Sequence, residues 1–126
     1  MKNNYLKVFA LSVFMLFASC ISSKVDVPYS ATSREIVQMA QTEFNNGMYH
    51  RALAYYSTLL QRYGNDNAVY VEGRYEIAHI YIKQKKYSQA KPMLEEVIEL
   101  YNSMPPGSLP GAFKKLAQND LAKIPG

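Results

Sequence analysis

The chain has 126 residues, enough for one domain with one modest core, and its 48% apolar and 19% charged residues exclude a disordered polymer. Its net charge of +4, from 14 basic and 10 acidic residues, includes no basic run that would track phosphates, and removing Lys2 and Lys7 with the leader described below leaves 12 against 10. A nucleic-acid partner is therefore not expected.

Lys2 and Lys7 flank a polar start, and Val8–Ala18 is an apolar run of 11 residues followed at once by small side chains, the layout of a secretory signal. The run is too short for a stable transmembrane helix, which needs about 20 apolar residues. Its end, Phe17-Ala18-Ser19-Cys20, resembles the lipobox of bacterial lipoproteins, with Phe17 where an aliphatic residue is usual. The resemblance implies that Cys20 receives a diacylglyceryl group, that residues 1–19 are removed, and that Cys20 heads the mature protein. Each buried acyl CH₂ contributes roughly 0.8 kcal/mol, so a multiply acylated terminus holds its domain on a bilayer. Ile21 is not the Asp that retains enteric lipoproteins in the inner membrane; the resemblance thus implies the outer membrane, with the domain facing the periplasm. Two other readings stay open: cleavage near Ser22 or Ser23, which frees the domain, or an uncleaved leader with an unmodified cysteine. Cys20 is the single cysteine, so the rest of the chain has no internal disulfide and no cysteine-based metal site. Residues 20–31, mixed in character and broken by Pro28, are predicted to be the lipidated cysteine and a tether.

Thr32-Ser-Arg-Glu35 has the spacing of a capping box and predicts a helix start. Ile36, Met39, Ala40 and Phe44 then recur at helical spacing, and Asn45-Asn46-Gly47 supplies a stop suited to a left-handed turn. A second amphipathic helix runs from Tyr49 to Tyr63 on Ala52, Leu53, Tyr56, Leu59, Leu60 and Tyr63, and the short connection makes the pair an antiparallel hairpin. Ala68–Gln84 is rich in strand-favouring Val69, Val71, Ile77, Ile80 and Ile82, yet Tyr70, Arg74, Ile77, Ala78 and Tyr81 fall on one helical stripe, and a helix is expected. Gly73 costs about 1 kcal/mol inside it unless a close helix crossing needs the missing side chain. Lys83-Gln-Lys-Lys86, with Lys91 nearby, reads as a solvated loop. Tyr87–Tyr101 is a fourth helix with Ala90, Leu94, Val97, Ile98 and Tyr101 on one face and Pro92 near its first turn. Pro105–Pro110 breaks the chain, and Phe113, Leu116, Ala117, Leu121 and Ile124 form one face of a last, capping helix.

Aligning Tyr49, Ala52, Tyr56 and Leu59 with Tyr87, Ala90, Leu94 and Val97 makes the two hairpins copies of one unit. The pattern Tyr-x-x-Ala-x-x-x-(Tyr/Leu)-x-x-(Leu/Val), preceded by a helix with a small residue at Ala40 or Ala78, resembles the tetratricopeptide repeat. It departs in a 38-residue spacing against about 34, in Lys85 where the first copy has Gly47, and in the missing prolines near Gly64 and Asn102. Longer repeats with an extended first helix are typical of envelope lipoproteins such as the component of the outer-membrane barrel-assembly machinery. The fold expected is all-α: two repeats over residues 32–103, then a Pro/Gly loop and capping helix over 104–126.

By resemblance the first helix of each hairpin lines a concave groove that takes a peptide or partner helix. Carried over by position, the protein-binding groove would show Arg34, Val37, Gln41 and Phe44 from the first copy and Glu72, Tyr75, His79, Ile82 and Lys83 from the second. Phe44 and Tyr75 are the expected anchors, because aromatic side chains give large contact area at low entropy cost. The implied partner is another envelope protein, with the membrane reached through the lipid and a second copy of the chain able to close the unfilled repeat ends. His79 has no histidine beside it, since His50 is on another helix, so no metal or cofactor is expected even with Glu72 and Glu76 near. No nucleophile elbow, phosphate-binding glycine loop or paired-carboxylate cleft is present, and Glu95, Glu96 and Glu99 read as a solvated acidic face, so no enzyme activity is expected. Eleven tyrosines leave open a ligand pocket built on Tyr70, Tyr75 and Tyr81, as in a transport accessory lipoprotein.

Overall fold

The structure, a computed structural model, describes residues 24–126; the predicted signal segment, Cys20 and Ile21 lie outside the described residues. Five helices follow in order: α1 (Ser33–Asn45), α2 (Tyr49–Tyr63), α3 (Asn67–Lys83), α4 (Tyr87–Ser103) and α5 (Ala112–Leu121), with no strand among the described residues. The architecture is the expected all-helical one, and none of these helices is long and apolar enough to cross a membrane.

The helix starts have local causes. The capping box forms: Thr32 Oγ1 accepts from Glu35 N at 3.3 Å and Glu35 Oε2 accepts from Thr32 N at 2.7 Å. Asp66 caps α3 by accepting from Ala68 N at 2.9 Å. The two hairpin turns are alike. Gly47 has φ +74° and Lys85 φ +58°, and in each turn the next amide bonds back five residues, Met48 N to Glu43 O and Lys86 N to Tyr81 O, both at 2.8 Å.

α1 packs on α2 and α3 on α4, and α2 packs on α3 to stack the two hairpins. The repeat positions carry the core. Ala40, Ala52, Ala78 and Ala90 are all at 0% exposure, and Tyr56, Leu59, Leu94 and Val97 at 1% or less. The small alanines let paired helices approach, and each large side chain buried contributes roughly 1.5–3 kcal/mol. α3 is the middle element, touching α2, α4 and α5. Its buried residues Val71, Gly73, Tyr75, Ile77, Ala78, Ile80 and Ile82 therefore lie on more than one side, which explains why its sequence resembles a buried strand. Gly73 meets the close crossing that its position requires: a Cβ there would lie 2.6 Å from Leu60 Cδ2 of α2.

α5 packs on α4 and α3, the place a first helix of a third repeat would take. The loop before it is held by Tyr101, whose hydroxyl donates to Pro110 O, and by buried Leu109. The α5 face differs from expectation by one position: Leu116 is 38% exposed and Asp120 is buried at 1%. Ion pairing decides this, as described below.

The predicted tether is docked over its described part. Arg62 donates to Pro28 O at 2.7 Å and to Val27 O at 3.0 Å, and Tyr63 Oη donates to Ala31 O at 2.6 Å. Val25 and Val27 pack against the core and Ala31 is buried within it. Glu96 is not a freely solvated charge either: it accepts from Tyr70 Oη and, at 2.9 Å, from Arg74 Nε, tying α4 to α3.

Candidate protein-binding groove

α1 and α3, the first helices of the two hairpins, share one side of the stack, and two depressions lie between them. The first, of about 190 Å³, is lined by Ser33, Arg34 and Val37 from α1, by Ala68, Val69 and Glu72 from α3, and by Pro110. The second, of about 300 Å³, is lined by Gln41, Phe44 and Asn45 from α1, by Tyr75, Glu76 and His79 from α3, and by Leu116 of α5. The first is smaller than the pockets that hold drug-sized ligands, about 300–1,000 Å³, and the second stands at the lower end of that range.

Seven of the nine groove residues expected from the repeat pattern line one depression or the other, and they differ in what they offer. Arg34 and Gln41 are exposed; Phe44, Glu72 and His79 are half-buried; Val37 and Tyr75 are buried and present only an edge. Ile82 lines neither depression and is a core residue, 8% exposed. Lys83, the last residue of α3, is exposed beyond the depressions.

Tyr75 is not the exposed anchor its type suggested. Its ring packs on Phe113 of α5, centroids 5.5 Å apart, and its hydroxyl donates to Asp120 Oδ2 at 3.2 Å. His79 Nδ1 donates to the same carboxylate oxygen at 2.6 Å, and Lys123 Nζ to Oδ1 at 2.6 Å. Burial alone would raise the Asp120 carboxyl, but the hydrogen bonds and charges of Lys123 and His79 outweigh it and hold Asp120 below the usual aspartate range. Sequence reading missed Asp120. It lies seven residues after Phe113 and three after Ala117, on the apolar face, and a charge at such a phase is the signal of a buried ion pair. Phe44 is half-buried and lines the second depression, its ring 5.4 Å from that of Tyr49 and 5.7 Å from that of His79.

Glu72 and Glu76 are one turn apart on α3. Burial raises the Glu72 carboxyl, against the pull of Arg34 across the first depression. Burial, then the negative charges of Glu72 and Asp120, push Glu76 up to about 7. Tyr70, Tyr75 and Tyr81 do not share either depression. Tyr70 binds Glu96, Tyr81 has Lys86 Nζ 6.0 Å above its ring, and Tyr75 alone lines a depression. Among the described residues no group of three or more His, Cys, Asp or Glu side chains gathers to hold a metal ion.

Residues 36–66 and 71–103 each match a family model described as a tetratricopeptide repeat, and the two ranges fall on the two hairpins. An uncharacterized protein of Treponema pallidum (strain Nichols) is 33% identical over 116 residues, which cover 90% of this chain and 46% of that protein. The chain thus spans less than half the length of this relative. No solved structure matches.

Proposed function

We propose that this chain, built on two tetratricopeptide repeats, is an adaptor that holds a segment of another cell-envelope protein on the concave side between α1 and α3 and is itself anchored by a lipid on Cys20. The observation that carries the binding is the uncovered groove. α5 closes the end of the second hairpin, yet the depressions between α1 and α3 remain open and expose Arg34, Gln41 and Leu116 around the aromatic wall of Phe44. Stacked helical hairpins present such concave surfaces to other chains. The apolar run Val8–Ala18 and the stretch Phe17-Ala18-Ser19-Cys20 support the anchor, and Ile21 supports the outer membrane with the domain in the periplasm.

The test is affinity capture from detergent-solubilised, crosslinked envelopes with the full chain and with a Gln41→Arg, Leu116→Arg variant. Both residues are exposed, so the added charges alter the groove while helicity by circular dichroism stays unchanged. A partner retained by the wild type and lost by the variant upholds the adaptor reading; unchanged partners place binding elsewhere. For the anchor, Cys20→Ser shifts the protein from the membrane fraction to the soluble one and removes the acyl mass from its terminal peptide. Equal partitioning of both forms refutes the lipid.

A further inference from the structure

Outside the groove, every carboxylate that the fold takes partly out of water has a cation. Glu43 pairs with Arg51 at 3.1 Å, Glu96 with Arg74, and Asp120 with Lys123 at 2.6 Å beside its hydrogen bond to His79. Such pairing is the rule for charges withdrawn from solvent. Glu72 and Glu76 are also half-buried, and among the described residues neither has an ion pair or a hydrogen bond. They stand four residues apart on one helix, a spacing at which like charges repel. One lines each depression, so together they span the groove, with the apolar surfaces of Phe44 and Leu116 beside Glu76.

The other charged groups facing this site do not fill the need. Arg34 lies on the first depression and reaches Glu72 only as a distant charge; His79 and Lys123 are taken by Asp120, which adds its own negative field to Glu76. The Glu76 carboxyl, pushed up to about 7, behaves as one that burial has deprived of a counter-charge. The chain as a whole carries +4, so the negative groove is a local property set against the net charge.

We infer that the segment held in the groove is basic: it places a Lys or Arg side chain between Glu72 and Glu76 and an adjacent apolar side chain against Phe44 and Leu116. This rests on the concave side being the binding face. A cation there satisfies two carboxylates that the fold leaves unmet, and acidic or purely apolar segments leave them desolvated and unpaired, which gives selectivity as well as affinity.

The experiment selects displayed random 16-residue peptides on the full chain in detergent micelles and measures the enriched peptides by fluorescence anisotropy. The chains compared are wild type, the isosteric Glu72→Gln, Glu76→Gln variant and the Gln41→Arg, Leu116→Arg variant. Expected is enrichment of peptides pairing Lys or Arg with a neighbouring apolar residue, and a loss of about tenfold or more in affinity on the double Gln variant. A charge swap gives a second readout. A peptide whose basic residue is changed to Glu binds wild type weakly and recovers on Glu76→Lys. Peptides that depend on Gln41 and Leu116 but lack basic residues, or bind the double Gln variant unchanged, overturn the charge inference and leave the groove as the binding face. Peptides indifferent to both variants overturn the inference and the groove together.

Discussion

Lys85 occupies a backbone conformation that its partner position fills with Gly47: φ is +58° at one and +74° at the other. A side chain in the left-handed region costs about 1–2 kcal/mol and the extra freedom glycine gives the unfolded chain offsets about 0.5–1 of it, so Lys85→Gly is expected to stabilise the protein by about 0.5–1 kcal/mol in urea denaturation. Glu76 sets a second expectation, with the opposite sign from an ordinary paired carboxylate. Its carboxyl titrates near 7 when folded against 4.5 when free. The favourable retention of its proton is fully present below about 4.5 and lost as pH rises through 7, so stability declines across that window. Glu76→Gln should be more stable than wild type by about 1–2 kcal/mol at pH 8, after discounting for water at the groove mouth, with the difference closing near pH 4. Asp120 behaves the other way, since its folded value is lowered and its contribution disappears only as pH falls through that value. Asp120→Ala leaves His79, Lys123 and the Tyr75 hydroxyl without their shared acceptor and should cost about 2–3 kcal/mol in thermal or chemical unfolding.

At the scale of elements, the crossing of α2 and α3 is the most sensitive joint. With a Cβ at Gly73 only 2.6 Å from Leu60 Cδ2 and 3.5 Å from Leu59 Cδ2, Gly73→Leu should cost about 2–3 kcal/mol. In a Leu60→Ala background the freed space should return much of that loss, so a double-mutant cycle of the two measures a coupling of about 1 kcal/mol or more. The helices were legible because each boundary is chemical: a capping box at Thr32 and Glu35, a glycine at 47, a polar break after Tyr63, a proline run after Met104. Repetition located Ala40, Ala52, Ala78 and Ala90, since a close hairpin admits no larger side chain at those points. Three features were not legible. The facing of α5 turns by one position on a buried aspartate whose partners lie 41 and 45 residues earlier in the chain at His79 and Tyr75, beyond the reach of a local pattern. The docking of residues 25–31 depends on backbone carbonyls accepting from Arg62, and carbonyls carry no sequence signature. In the groove, repeat position brought Phe44, Glu72 and His79 to the depressions but did not give the burial of Tyr75, which α5 decides from outside the repeats.

Over the whole molecule, two repeats fall short of the three or more that usually make a self-sufficient stack, and α5 with the docked segment before α1 supplies the missing cover at the two ends. Arrays of such hairpins commonly unfold in stages, each unit contributing its own stability and an interface to the next. This chain has no place at which to divide. α3 belongs to the second repeat by sequence, yet it is buried among α2, α4 and α5, so separating the hairpins strips the core from both. Unfolding should therefore be all-or-none: helicity and tyrosine fluorescence should report one midpoint, and the α3 amides should exchange with solvent only when the whole chain opens. For a protein with so small a core, the burial of one central helix turns a modular sequence into a single cooperative unit.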